Sequence, residues 1–176
     1  MVRRVVTGEA ADGKSIVVRD EQLEPITVSA LRGAEFHRLW GGDAIPRLPA
    51  NGETHCPPTY YPAVGGFRFV IVTLGPDRIT LPADLDLKSA AAEIREKLPG
   101  AAEVLELDNP GMHRTDTVDL GLVLSGEIWL ELDDGAELRF QAGDSVIQNG
   151  ARHAWRNKSS EPCVMLFAFI GARRAA

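Results

Sequence analysis

From residue 117 onward the chain is cut into short apolar and β-branched runs, each closed by a turn signal after roughly eight residues. The runs are Thr117–Leu124, Glu127–Leu132, Ala136–Phe140, Ser145–Gln148, His153–Asn157 and Cys163–Ile170. Between them stand Ser125-Gly126, Asp133-Asp134-Gly135, Ala142-Gly143-Asp144, Asn149-Gly150 and Ser159 to Pro162. Side chains alternate faces along a strand, and Asp-Gly or Asn-Gly turns join antiparallel neighbours. That rhythm indicates an antiparallel sandwich or barrel.

With 176 residues the chain fits a single domain. Its formal charge of −6 gives it no global attraction to nucleic acid or to an anionic membrane surface. The longest apolar stretch, Cys163 to Ala172, is about half the roughly 20 residues of a membrane helix. The first residues lack the sustained apolar region of a secretory signal, and the two cysteines, Cys56 and Cys163, have no metal-type spacing. The expected home is a reduced cytoplasm, with neither membrane nor nucleic acid as partner.

The N-terminal part, residues 1–80, reads as strands and an arm. Arg4-Val-Val-Thr7, Ser15-Ile-Val-Val-Arg19 and Ile26-Thr-Val28 are the expected strands. Gly8 to Ser15 matches the phosphate-loop pattern GxxxxGK[ST], but Ile16-Val17-Val18 favours a second strand where a helix should begin. Glu9 and Asp12 would also place negative charge in the cradle. A β-hairpin that binds no nucleotide is expected. Residues 41–66 are rich in Gly and Pro and read as an ordered arm anchored by Trp40, Tyr60, Tyr61 and Phe67. Within 84–99, Leu87, Ala91, Ile94 and Leu98 form one helical stripe over 86–98, capped by Asp84 or Asp86 and stopped by Pro99-Gly100. The helix is expected to pack outside the barrel.

Polar residues in the β region are not scattered evenly. His113, Thr115, Thr117 and Asp119 occupy alternating positions, so one extended strand would send all four from the same face. Further on comes Gly143-x4-Gln148-x-Gly150-x2-His153-x3-Asn157. Together the two segments resemble the paired motifs of the cupin superfamily of small β-barrels. His113-x-Thr115-x3-Asp119-x6-Gly126 has the spacing of the first motif. The second segment follows the second motif with one residue fewer and Gln148 in place of proline. The resemblance covers about residues 105–171 and looks most like a bacterial and fungal branch of largely unassigned function. It implies an all-β jelly-roll barrel with one flanking helix near 86–98.

In metal-binding cupins two histidines and a glutamate of the first motif, with the histidine of the second, hold one ion. Carried onto this chain, the resemblance implies His113, Asp119 and His153 as ligands of one divalent ion: Fe, Mn, Ni or Zn. Thr115 replaces the second histidine and Asp119 the glutamate. Two His and one carboxylate is the set of facial-triad Fe(II) sites. Thr115, Thr117, Gln148 and Trp155 are candidate substrate contacts, and no catalytic residue is assigned. Leu122 and Leu124 are expected to add apolar walls.

Each candidate has a plainer alternative. His113 and His153 also suit turn positions, and Arg114, Arg152 or Arg156 would serve Asp119 as an ion-pair partner. Trp155 and Asn157 suit packing and strand-tying. His37 and His55 match no motif and read as structural or surface residues, with a ligand role for His55 left open. Two functions therefore stand side by side: a metal-dependent enzyme acting on a small, partly apolar molecule, with a lean to oxygenation, and a non-catalytic small-molecule-binding cupin. A homodimer is expected, because the arm at 41–66 carries more aromatic surface than a lone barrel would cover.

Overall fold

The computed structural model describes residues 1–50, 52, 56–77, 86–106 and 108–175. Among these, ten strands follow in chain order: β1 (Val2–Glu9), β2 (Ser15–Leu23), β3 (Glu35–Gly42), β4 (Phe67–Leu74), β5 (Thr117–Ser125), β6 (Glu127–Glu131), β7 (Glu137–Gln141), β8 (Ser145–Asn149), β9 (Ala154–Arg156) and β10 (Cys163–Gly171). One helix, α1 (Leu87–Lys97), separates β4 from β5. The strands make a β1–β2 hairpin, a five-stranded sheet ordered β3-β4-β10-β5-β8 and a three-stranded sheet ordered β7-β6-β9. Every strand pairing is antiparallel. The expected all-β jelly-roll architecture with one flanking helix is what the chain adopts.

The core lies between the two sheets. Val70, Val72, Val123, Met165 and Phe167 from the larger sheet meet Ile128 from the smaller, with Phe140 and Trp155 packed against them. Alternation explains this directly: in β10, Cys163, Met165, Phe167 and Phe169 are buried while the residues between them are not. Burial lifts the Cys163 thiol to about 11, so it behaves as a small apolar side chain.

The Gly8–Ser15 segment is the hairpin turn, with Glu9 and Ser15 as the last pair of the β1–β2 ladder. Its amides close the turn on itself: Ala10 N–H donates to the Lys14 carbonyl at 2.9 Å and Gly13 N–H to Ala10 at 2.9 Å. α1 begins where expected. The Asp86 carboxylate accepts from Lys88 N–H at 3.1 Å and so caps the first turn. Ile94 and Leu98 are buried in the core. Glu93 fastens the helix to the chain before β3, accepting from Ser29 N–H at 2.8 Å and from Lys97 at 2.7 Å. Those bonds hold its carboxyl down to about 2. The alternative cap Asp84 and the histidine His55 lie outside the described residues. Among the described residues, no helix is long and apolar enough to cross a membrane.

One feature of the N-terminal half differs from expectation. Ile26 to Val28 is not a strand; Ile26 makes one isolated bridge to Phe36. The strand there is β3, which alternation does not reveal because Phe36 and His37 are both buried and its register slips between Arg38 and Trp40. The arm is held from β4 by Arg68. Arg68, fully buried, donates to Gly42 O at 3.0 Å, Thr59 O at 3.1 Å and Asp43 at 2.7 Å. This clamp delivers Tyr60 into the core, edge-on to Phe36 at 5.8 Å and to Phe169 at 5.9 Å.

Candidate functional site

A cavity of about 180 Å³ lies between the larger sheet, α1 and the arm. Its walls are mainly apolar, with Phe36, Tyr60, Tyr61, Val72, Ile94, Leu98, Phe167 and Phe169 among them. An apolar cavity of about 150 Å³ holds a benzene ring, so this one has room for a small organic molecule. Tyrosine and tryptophan aside, its polar lining consists of His113, Asp119, Gln148 and His153. Ile94 and Leu98 of the helical stripe help to form the wall of the cavity.

His113 and His153 are brought together by backbone pairing. Each donates its N–H to the other's carbonyl, at 2.9 and 3.0 Å, in an isolated bridge just before β9. Gly150, at φ +63°, makes the turn that returns the chain from β8 to this bridge. The two rings lie 4.3 Å apart, tilted by 50°. Each Nδ1 sits against a carbonyl two residues back, His113 on Gly111 at 3.0 Å and His153 on Ala151 at 2.9 Å. A carbonyl can only accept, so both Nδ1 atoms carry the proton and both Nε2 atoms keep a lone pair. Burial lowers both pKa values, and proximity to His113 helps bring His153 down to about 4. At neutral pH the pair is uncharged.

Asp119 reaches the same cavity from β5. It sits directly opposite Gln148 of β8 in the ladder, and each is 5% exposed. Burial raises the Asp119 carboxyl to about 6, with the Thr117 hydroxyl opposing. None of the arginines considered as its partner takes that role. Arg152 pairs with Glu106 at 2.6 Å and Asp133 at 2.6 Å, Arg156 pairs with Glu131 at 2.5 Å, and Arg114 is exposed. Asp119 Oδ1 and Gln148 Nε2 are buried with no hydrogen-bond partner among the described residues. Thr115 and Thr117 are buried on the same side as Asp119, where Thr117 donates to the Thr115 hydroxyl at 2.8 Å.

The expected donors are therefore gathered unevenly. Among the described residues no group of three His, Cys, Asp or Glu side chains is collected as a metal-holding cluster. His113 and His153 stand side by side, with chemistry that fits a divalent ion: two neutral imidazoles with free Nε2 lone pairs. Asp119 shares their cavity but lies on the β5–β8 ladder.

Trp155 lines the cavity and meets His153 edge-on at 5.9 Å. Asn157 ties the fold, donating to Leu74 O and Glu161 O at 2.8 Å each. Leu122 and Leu124 are not cavity walls: they alternate out of phase with Asp119, and Leu124 is 44% exposed. Gly121 and Val146 line the cavity beside Asp119 instead. Sequence reasoning missed Phe36, Val72 and Tyr61 as lining residues. Their only signal is an aromatic or apolar side chain, which marks core and cavity alike. His37 is buried on β3 with both ring nitrogens unpartnered, and it is not among the residues lining this cavity.

Residues 103–169 match the family described as Cupin domain. Oryzines biosynthesis cluster protein J of Aspergillus oryzae is 36% identical over 105 residues, covering 54% of this chain and 59% of that protein. A cupin-domain-containing oxidoreductase of Neurospora crassa is 34% identical over 107 residues, covering 57% of this chain and 55% of that one. The chain thus spans little more than half the length of these curated relatives. Among solved structures, a cupin 2 conserved barrel domain protein of Salinispora arenicola aligns with TM-score 0.43 and 19% identity, covering 88% of this chain and 92% of that one. The segment that carries the paired histidines, Asp119 and Gln148 is the part of the chain that matches a cupin domain.

Proposed function

We propose that this protein is a cupin enzyme that takes a small, largely apolar organic molecule into the barrel and acts on its polar end. The observation that carries this reading is an apolar cavity whose four other polar side chains are His113, His153, Asp119 and Gln148. The aromatic walls exclude water and hold the apolar body of the guest by area burial, while the few polar groups orient it. In this reading a divalent ion of Fe, Mn, Ni or Zn is held by His113 and His153, whose Nδ1 protons are fixed on backbone carbonyls. Such an ion would supply Lewis-acid polarisation of a substrate oxygen when bound, and the lean is to oxygenase chemistry, within the oxidoreductase class that the Neurospora crassa relative is named for. Asp119 serves the guest in this reading.

Metal content per chain, measured by mass spectrometry after growth with the four metals, tests the ion. The parent is expected to retain a divalent metal, His153→Ala to lose most of it and Asp119→Asn to keep it. A parent that holds none leaves the second reading, a non-catalytic small-molecule-binding cupin. What favours that reading is the Thr115 hydroxyl, occupied by Thr117 at the position where metal-binding cupins carry a histidine.

A homodimer is part of the proposal, on different grounds from those the sequence offered. The arm's aromatic surface is used within the chain, since Tyr60 is 4% exposed. The face left uncovered is the outer side of the five-stranded sheet. Phe69, Ala168, Leu120 and Ile147 stand in one row across β4, β10, β5 and β8. The next row, Phe67, Ile170, Val118 and Asn149, likewise carries no charge. A broad uncharged sheet face matches its own copy about a two-fold axis, sheet packed on sheet.

A further inference from the structure

Asp119 and Gln148 are opposite members of one β5–β8 pair, both line the cavity, and both are about nineteen-twentieths buried. Among the described residues, Asp119 Oδ1 is an acceptor without a donor, and Gln148 Nε2 is a donor without an acceptor. Buried polar atoms are almost always paired, so two orphans on facing residues of one cavity wall call for a common explanation. Beside them lies an aromatic shelf. Phe169 is the β10 neighbour of Asp119, and its ring stacks with Phe167 at 5.5 Å.

We infer that Asp119 and Gln148 act together as a recognition couple for a guest that carries a hydrogen-bond donor beside a carbonyl. The N–H or O–H of the guest donates to Asp119 Oδ1, and its carbonyl accepts from Gln148 Nε2. A cis-lactam or a hydroxy-carbonyl compound presents that couple, and its apolar body lies against Phe167 and Phe169. A carboxylate guest is disfavoured, because it brings a second negative charge against Asp119 and has no proton to offer it. This inference rests on the small-molecule reading of the cavity and names the class of molecule that the cavity accepts. It concerns the guest and does not depend on the metal.

The test is calorimetric titration of the full chain with three probes: 2-quinolone, N-methyl-2-quinolone and naphthalene. 2-Quinolone carries N–H beside C=O, its N-methyl derivative replaces that N–H by N–CH3, and naphthalene has neither group. 2-Quinolone is expected to bind at least about tenfold more tightly than the N-methyl compound, the usual value of one hydrogen bond to a charged acceptor. Asp119→Asn is expected to remove most of that preference. Gln148→Met, close to glutamine in shape but without the amide, is expected to weaken both quinolones and to leave them less favoured over naphthalene. Naphthalene binding in each variant shows that the cavity is intact. Equal affinity of the two quinolones for the parent overturns the couple, as does a preference that survives in both variants. If naphthalene binds and the preference is absent, the couple alone falls; if no probe binds, the small-molecule reading falls with it.

Discussion

The two faces of β5 make an instructive pair. Thr117, Asp119, Gly121 and Val123 point inward and are buried, while Val118, Leu120 and Leu124 point outward and are 36%, 42% and 44% exposed. A half-buried strand in a soluble protein ordinarily places leucines inside and polar residues outside. Here one strand reverses that order, and each half of the reversal has a separate meaning. Carboxylate and hydroxyls inside the barrel cost stability unless something uses them, which marks the inner face as a working surface. Leucines in an uncharged outer row lower solubility unless something covers them, and that row is the ground for the proposed dimer.

The comparison is sharpened first on the inner face, where β10 supplies the packing that balances the polar residues of β5. Phe167 is 6% exposed, and Phe167→Ala is expected to cost about 3–5 kcal/mol in urea unfolding, through lost burial and the space left behind. A loss below about 1 kcal/mol would place the core elsewhere.

Asp119 comes next, with the opposite sign. Its folded pKa of about 6 lies above the ordinary carboxylate value of 3.8, so ionising it penalises the folded state. The penalty grows as pH rises from near 4 to near 6 and is complete above that. Asp119→Asn is therefore expected to stabilise the protein by about 2–3 kcal/mol at pH 8, at roughly 1.4 kcal/mol per pKa unit, and by nothing near pH 3.5. Unfolding curves of parent and variant at the two pH values check this. A variant less stable than the parent at pH 8 would mean that the carboxylate has a stabilising partner in solution.

On the outer face the smallest change in stability goes with a change in assembly. Leu120→Lys is expected to alter the unfolding free energy of the chain by less than about 0.5 kcal/mol, as exposed substitutions do. The same substitution is expected to halve the mass seen by light scattering, from dimer to monomer. A parent already monomeric at micromolar concentration would remove the interface and leave the outer leucines without a role.

Much of this architecture is legible in the residues themselves. The strand and turn rhythm after residue 117 places β5 to β10 to within a residue or two, because Asp-Gly, Asn-Gly and Gly-Asp turns recur between apolar runs. Ile16-Val17-Val18 after the glycine loop is enough to identify the hairpin, and Asp86 marks the start of α1. β3 escapes because it is buried on both sides and carries a bulge, so it shows neither alternation nor a clean end. The arm is legible as an ordered segment from Tyr60, Tyr61 and Phe67, but its clamp is not. Its order comes from Arg68, a charged residue within β4 that reads as solvent-facing until its carbonyl partners from Gly42 and Thr59 are in place.

The candidate site divides in the same way. By itself the sequence determined that Thr117, Asp119, Gly121 and Val123 share one face of a strand and Val118, Leu120, Leu122 and Leu124 the other, since a period of two permits nothing else. It determined too that His113 and His153 lie beside turns, where Gly111 and Gly150 let the backbone double back. Asp119 between Val118 and Leu120 reads as inward, but it is tertiary structure that fixes which face of β5 turns inward. A period of two is the same seen from either side, and the hydrophobicity of the leucines argues for the wrong one. The choice is fixed by register: Phe169 of β10 and Gln148 of β8 flank Asp119, and both neighbours present their inner faces to the cavity. A strand between two such neighbours has no freedom to turn over, so Asp119 is held inside and its leucines outside.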